Sequence, residues 1–126
     1  MSEVIIRKLS FLLFPGNADR MYVDELRDFC LSFPEVEECM PFGPTNLVFK
    51  RKLKIFLLVG LEDYPIRFNV KCDPEKAIAL REEYPESIFP GYHMNKKHWN
   101  TVYVDGRLTD SQLHEFIRHS YELVKK

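Results

Sequence analysis

From Leu26 the apolar residues Leu26, Phe29, Cys30 and Phe33 recur at three- and four-residue spacings, the repeat of one helix face. Asp24 and Glu25 stand in the first turn, where a helix favours acids, and Pro34 stops the pattern. An amphipathic helix is therefore predicted from Val23 to the approach of Pro34. After the turn Phe42-Gly43-Pro44 the period changes to two, and Asn46 to Lys50, Lys54 to Leu61 and Ile66 to Lys71 read as successive strands. In the last of them Ile66, Phe68 and Val70 alternate with Arg67, Asn69 and Lys71, which predicts an antiparallel meander with one buried and one wet face.

The helical period returns at Asp73-Pro74-Glu75, an acid at the N-cap followed by proline at the first helical position. Ala77, Leu80 and Tyr84 give this short helix its inward stripe, and the stretch after Pro85 up to Pro90 reads as a loop. Trp99 to Val104 reads as a further strand closed by the turn Asp105-Gly106. Thr109 and Gln112 have the spacing of a capping box, and the stripe Leu113, Phe116, Ile117, Tyr121 and Val124 follows. The order helix, meander, helix, strand, helix predicts an α+β domain whose helices pack on one face of an antiparallel sheet.

At 126 residues the chain has room for one core and not two. The organisation expected is a domain over residues 21–126 behind an N-terminal extension, 1–20, which precedes any periodic pattern and reads as a loose arm, an added strand or an overcalled start. That prefix places basic residues before an apolar patch, but Phe11 to Phe14 is too short for a secretory h-region and no small-residue cleavage site follows. The longest apolar run beyond it, Ile55 to Val59, is far below the roughly 20 residues of a spanning helix. Cys30, Cys39 and Cys72 are odd in number, widely spaced and form no C-x-x-C pair, so a reducing cytoplasm is expected, with neither a disulfide framework nor structural zinc.

The formal net charge of −1 is unlike that of a dedicated nucleic-acid binder, but the charge is unevenly distributed. Met21 to Cys39 sets Arg27 against six acids, a local net of −5, whereas Lys50 to Lys71 sets six cations against two acids, a local net of +4. If the meander and the Trp99 strand share a sheet, the hairpin residues Lys50, Arg51 and Lys52 join Arg67, Lys71, Lys96 and Lys97 on one phosphate-attracting surface. Exposed sheet faces and hairpin tips are also lysine-rich simply to discourage edge-to-edge pairing.

The densest polar stretch is GYHMNKKHWNTVYVDG, Gly91 to Gly106. His93 and His98 are five apart, a spacing that suits neither one helix face nor one strand face, and no cysteine or carboxylate lies near enough in sequence to complete a metal set. Cys72 and His98 have no nucleophile motif around them, so catalysis is not expected. Lys96 and Lys97 suit phosphates, Asn95 and Asn100 hydrogen bonding, and His98 or Trp99 stacking. The plainer reading makes Trp99 a core or edge anchor and Asn95 the cap of a Lys96-Lys97-His98 turn.

RFNVKCDPEKAIALREEYP followed by GYHMNKKHWNTVYVDG resembles the hallmark region of the MmcQ/YjbR family of small bacterial proteins, and MYVDELRDFCLSFPEVEECMPFG resembles its start. The resemblance spans about residues 21 to 124, and the matching positions are His93, Asn95, Lys96, His98, Trp99 and Thr101, with Lys71 and Asp73-Pro74 upstream. It implies a CyaY-like α+β fold and a DNA-binding role associated with a double-wing arrangement. This chain departs from the pattern at Lys50-Arg51-Lys52-Leu53-Lys54, where relatives commonly have a glycine-containing turn, and in residues 1–20. The expectation is a monomeric, non-catalytic, cofactor-free binder of double-stranded DNA using Lys50, Arg51, Lys52, Arg67, Lys71, Lys96, Lys97, His98 and Trp99. The alternative is a protein- or small-ligand-binding module with a polar pocket at His93, Asn95, His98, Trp99 and Thr101.

Overall fold

In the computed structural model, residues 22–92 and 94–126 are described; the prefix 1–20 and His93 lie outside them. The first helix, α1, runs Val23–Leu31 and buries Val23, Leu26 and Cys30. The strands are β1 (Val36–Cys39), β2 (Asn46–Arg51), β3 (Lys54–Gly60), β4 (Ile66–Lys71), β5 (Ile88–Pro90) and β6 (Trp99–Val104). Two further helices are α2 (Pro74–Glu83) and α3 (Asp110–Lys125). The strands form one antiparallel sheet in the order β1-β2-β3-β4-β6-β5.

Two strands were not foreseen. β1 reads VEEC, too acidic to signal a strand, yet it pairs along the edge of β2. β5 is three residues long and ends in a proline, so the stretch read as a loop holds an edge strand where a missing N–H costs least.

The helices cover one sheet face, as the alternation in β4 requires. Phe49, Phe68, Val70 and Val102 meet Leu113, Ile117, Tyr121 and Val124 of α3 in the core. A bulge opposite Phe49 and Lys50 sends both Phe56 and Leu57 inward. Tyr121 stacks on Phe33 at 4.6 Å and its hydroxyl donates to the Pro34 carbonyl at 2.8 Å, which fixes the exit of α1 against α3. The capping box of α3 forms: Thr109 Oγ1 accepts from the Gln112 N–H at 3.2 Å and Gln112 Oε1 accepts from the Thr109 N–H at 2.8 Å. Asp73 occupies the N-cap of α2, but its side chain makes no capping bond.

Ser120 is a polar residue on the inward stripe of α3 and is fully buried. The β3–β4 ladder ends at Leu57↔Val70, and Ser120 bridges the pair that would come next: its hydroxyl donates to the Phe56 carbonyl at 2.6 Å and accepts the Lys71 N–H at 2.8 Å. The serine thus satisfies two backbone groups where the strands part. The next two N–H groups are also claimed, Cys72 by the His98 carbonyl at 2.8 Å and Asp73 by His119 Nε2 at 3.2 Å.

Candidate nucleic-acid interface

The corner between Gly91 and Trp99 is held from several sides. Asn95 Oδ1 accepts the Lys97 N–H at 3.0 Å, and the Asn95 carbonyl accepts the N–H groups of His98 and Trp99 at 3.0 and 2.9 Å. Asn95 is therefore the cap of a tight turn. Arg81 of α2 reaches across to donate to Asn100 Oδ1 at 2.7 Å and to the carbonyls of Lys96 and, at 3.4 Å, Trp99. Asn100, itself buried, donates back to the Ala77 carbonyl of the same helix at 3.4 Å. A Cβ on Gly91 would sit 2.9 Å from Trp99 Cβ and 3.2 Å from its carbonyl oxygen, so only glycine lets the loop approach the strand this closely.

The outcome is a hydrogen-bonded turn that presents Lys96, Lys97 and His98 to solvent. Among the described residues no ion pair includes Lys71, Lys96 or Lys97. Trp99 is a buried anchor, 7% exposed, and does not offer a stacking face. Lys71, its partner across β4 and β6, places its ammonium 5.7 Å from the centre of the indole ring.

The hairpin cations do not complete this surface. Side chains alternate along β2, so Lys50 points to the open face while Arg51 points to the helix side, where its Nη1 donates to the Lys125 carbonyl at 3.4 Å and its guanidinium pairs with Glu35 at 3.1 Å. The single common surface expected of Lys50, Arg51 and Lys52 is in this respect overturned by strand geometry. Lys52 lies 3.8 Å from Glu35, Lys50 lies 4.0 Å from Glu37, and Lys54 donates to the Lys126 carbonyl at 3.4 Å. The acidic exit of α1 and the basic hairpin are adjacent strands in register, Val36↔Arg51 and Glu37↔Lys50, so their opposite local charges face each other. Arg67 is likewise engaged: it donates to the Tyr103 hydroxyl at 3.0 Å, which chiefly pushes its guanidinium pKa upward, and pairs with Asp63 at 3.3 Å.

Among the described residues, those expected to form a pocket do not converge. Asn95 is spent in its turn, Trp99 is buried, and Thr101 donates to Asn69 Oδ1 at 2.6 Å on the open sheet face. A cleft does exist beside the corner: an open space of ≈ 300 Å³ lined by Lys71, Cys72, Asp73, Pro74, His98 and Leu123. Among the described members of the expected set, His98 lines it. Burial pushes the Cys72 thiol pKa up, which keeps it protonated and unlike a poised nucleophile. Burial, more than any neighbouring charge, pushes the His119 pKa down, which suits the N–H its Nε2 accepts from Asp73. Among the described residues no group of three or more His, Cys, Asp or Glu side chains is arranged to hold a metal ion.

Arg81 and Ser120 escaped the sequence reading. Ser120 had a signal, a hydroxyl at the spacing of an apolar stripe, whereas Arg81 looks like any helix arginine until the turn it ties is in place.

The model of the YjbR family matches residues 31–123. The chain is 46% identical over 95 residues to YbdF of Escherichia coli O157:H7, covering 75% of this chain and 76% of that protein. It is 31% identical over 102 residues to YjbR of Escherichia coli K12, covering 81% and 86%. The crystal structure of the Deinococcus radiodurans protein DR2400, a DUF419 domain, superposes with a TM-score of 0.80 at 42% identity, covering 86% of this chain and 80% of that one. A Pseudomonas syringae protein superposes with a TM-score of 0.70 at 26% identity, covering 82% and 99%.

Proposed function

The chain belongs to the YjbR family, and from that premise we propose that it binds DNA through the corner Lys96-Lys97-His98 together with Lys71, by contacts to phosphates. The observation that carries the reading is the contrast in partners: the corner cations have none among the described ion pairs, while those of the hairpin are matched by acids or by carbonyls at the C-terminal end of α3. The turn is also fixed before any ligand arrives, so little ordering entropy opposes binding. Binding, not catalysis, is the activity proposed, in a cytoplasm where the three thiols remain reduced. No helix among the described residues is long and apolar enough to cross a membrane.

Three lysines neutralising three phosphates give log affinity a slope of about −3 against log salt. Fluorescence anisotropy of a labelled duplex, at low and then physiological salt, tests this. Salt-sensitive binding is expected, and no binding even at low salt contradicts the reading.

A second reading has the cleft in its favour. Lys71 and His98 line it, and Lys71 also stands over the chain's only tryptophan. A small anion entering the cleft would draw Lys71 from the ring and change Trp99 emission. A saturating change with an anion and no duplex affinity would favour this reading over the first.

A further inference from the structure

Besides Lys71, the open face of β4, β6 and β5 carries a row of residues that phosphate binding leaves unused. The register Arg67↔Tyr103, Asn69↔Thr101 and Lys71↔Trp99 sets these three pairs on the face away from the helices, and Phe89 joins them opposite Thr101. Phe89 meets Tyr103 edge to face with centroids 5.2 Å apart, and the Arg67 guanidinium lies 5.4 Å from the Tyr103 ring centre. Phe89 is 36% exposed although it is a large apolar ring, and Tyr92 on the corner loop is 72% exposed. At the strand rise of about 3.3 Å per residue, Tyr103 and Trp99 are about 13 Å apart, so the row leads from the rings to Lys71 and the corner lysines.

We propose that this face takes an unpaired DNA strand, with bases stacked on Phe89, Tyr92 and the Arg67–Tyr103 pair and phosphates on Lys71, Lys96 and Lys97; the inference rests on the DNA-binding reading and narrows it. Every base has a flat face that an aromatic ring or a guanidinium can receive, and stacking of this kind is tolerant of sequence. In a duplex the bases are already stacked on each other, so a duplex uses only the lysines. An apolar protein partner does not suit a face that carries Arg67 and Lys71, and an acidic one leaves the rings without a role. A backbone of negative charges bearing flat rings matches both.

The test compares anisotropy of a labelled thymine oligonucleotide with that of a duplex of equal length, at one salt concentration, for the wild type, Phe89→Ser/Tyr92→Ser and Lys96→Ala/Lys97→Ala. Neither ring belongs to the buried core, so the serine variant is expected to retain the fold, which circular dichroism checks. The wild type is expected to prefer the single strand, the serine variant to lose about tenfold or more on it with duplex binding unchanged, and the lysine variant to lose on both. Equal affinity for the two DNAs, or a serine variant that binds the single strand like wild type, overturns the single-strand assignment and leaves duplex binding standing. Absence of binding to either DNA overturns both.

Discussion

The hairpin joining β2 and β3 and the corner before β6 both read KK- or KRK-like in sequence, yet the fold treats them oppositely. Lys50, Arg51, Lys52 and Lys54 each have an acid or a carbonyl at the C-terminal end of α3 within reach, and Leu53 between them is 91% exposed. At the corner, Lys96 and Lys97 have no such partner among the described residues, while the backbone beneath them is tied to α2, to β4 and through it to α3. Local charge density therefore does not locate a phosphate-binding surface. What matters is whether neighbouring strands bring countercharge, and whether the cations stand on backbone that is already fixed.

The largest effect is expected where the corner's support is removed. Ser120→Ala leaves the buried Phe56 carbonyl and the part-buried Lys71 N–H without the serine, at a cost of about 2–3 kcal/mol. Chemical denaturation measures it, and a loss of only a few tenths would mean that the strands close on each other without the serine. Arg81→Ala is expected to cost about 2 kcal/mol, since the bonds lost come from a charged group and Asn100 is buried. Hydrogen exchange at the His98 and Trp99 amides should quicken in that variant while the hairpin amides are unchanged.

Charge changes separate the two regions at lower cost to the fold. Lys96→Ala/Lys97→Ala should lower the salt slope for duplex DNA by about 2 and weaken binding about tenfold near physiological salt. Glu35→Gln/Glu37→Gln, which frees the hairpin cations, should raise affinity by a factor of about 3, because it removes negative charge from beside the hairpin without adding a contact. Stability should fall by no more than about 1 kcal/mol in that variant, since both acids are more than half exposed.

The smallest effect is a pH dependence from His119. Its folded pKa lies below the ordinary 6.5, first because of burial and then because of Lys76, with Asp73 and Glu115 opposing and Lys126 adding to the shift. The unfolded chain therefore takes up a proton before the folded one. This contribution to stability is full above about pH 6.5 and is lost as pH falls through the folded value. His119→Gln should flatten that part of the stability profile, and an unchanged profile would assign the slope to other groups.

How much of this was legible from sequence depended on whether a residue's role was local. The helix stripes, the alternation of β4 and the Thr109–Gln112 box are set by neighbours a few positions away, and they stand where the periodicities put them. Asn95 was readable as a cap for the same reason. The strand β1 was not, because two of its four residues are acids, and their partners, Lys50 of β2 for Glu37 and Arg27 of α1 for Glu38, are far from them in sequence. That omission also made the opposing charges of the two segments look like two surfaces, when they are one edge pairing. Arg51 was grouped with its neighbours in sequence although strand alternation sends it to the other face.

The most direct test of the account is a pair of charge reversals, Lys96→Glu and Lys52→Glu, each titrated against the same labelled duplex over a range of salt. The corner reversal is predicted to abolish most of the salt-dependent binding and the hairpin reversal to leave affinity within a factor of about 3. Equal losses from the two, or a larger loss at the hairpin, would contradict the assignment of the DNA surface to the corner.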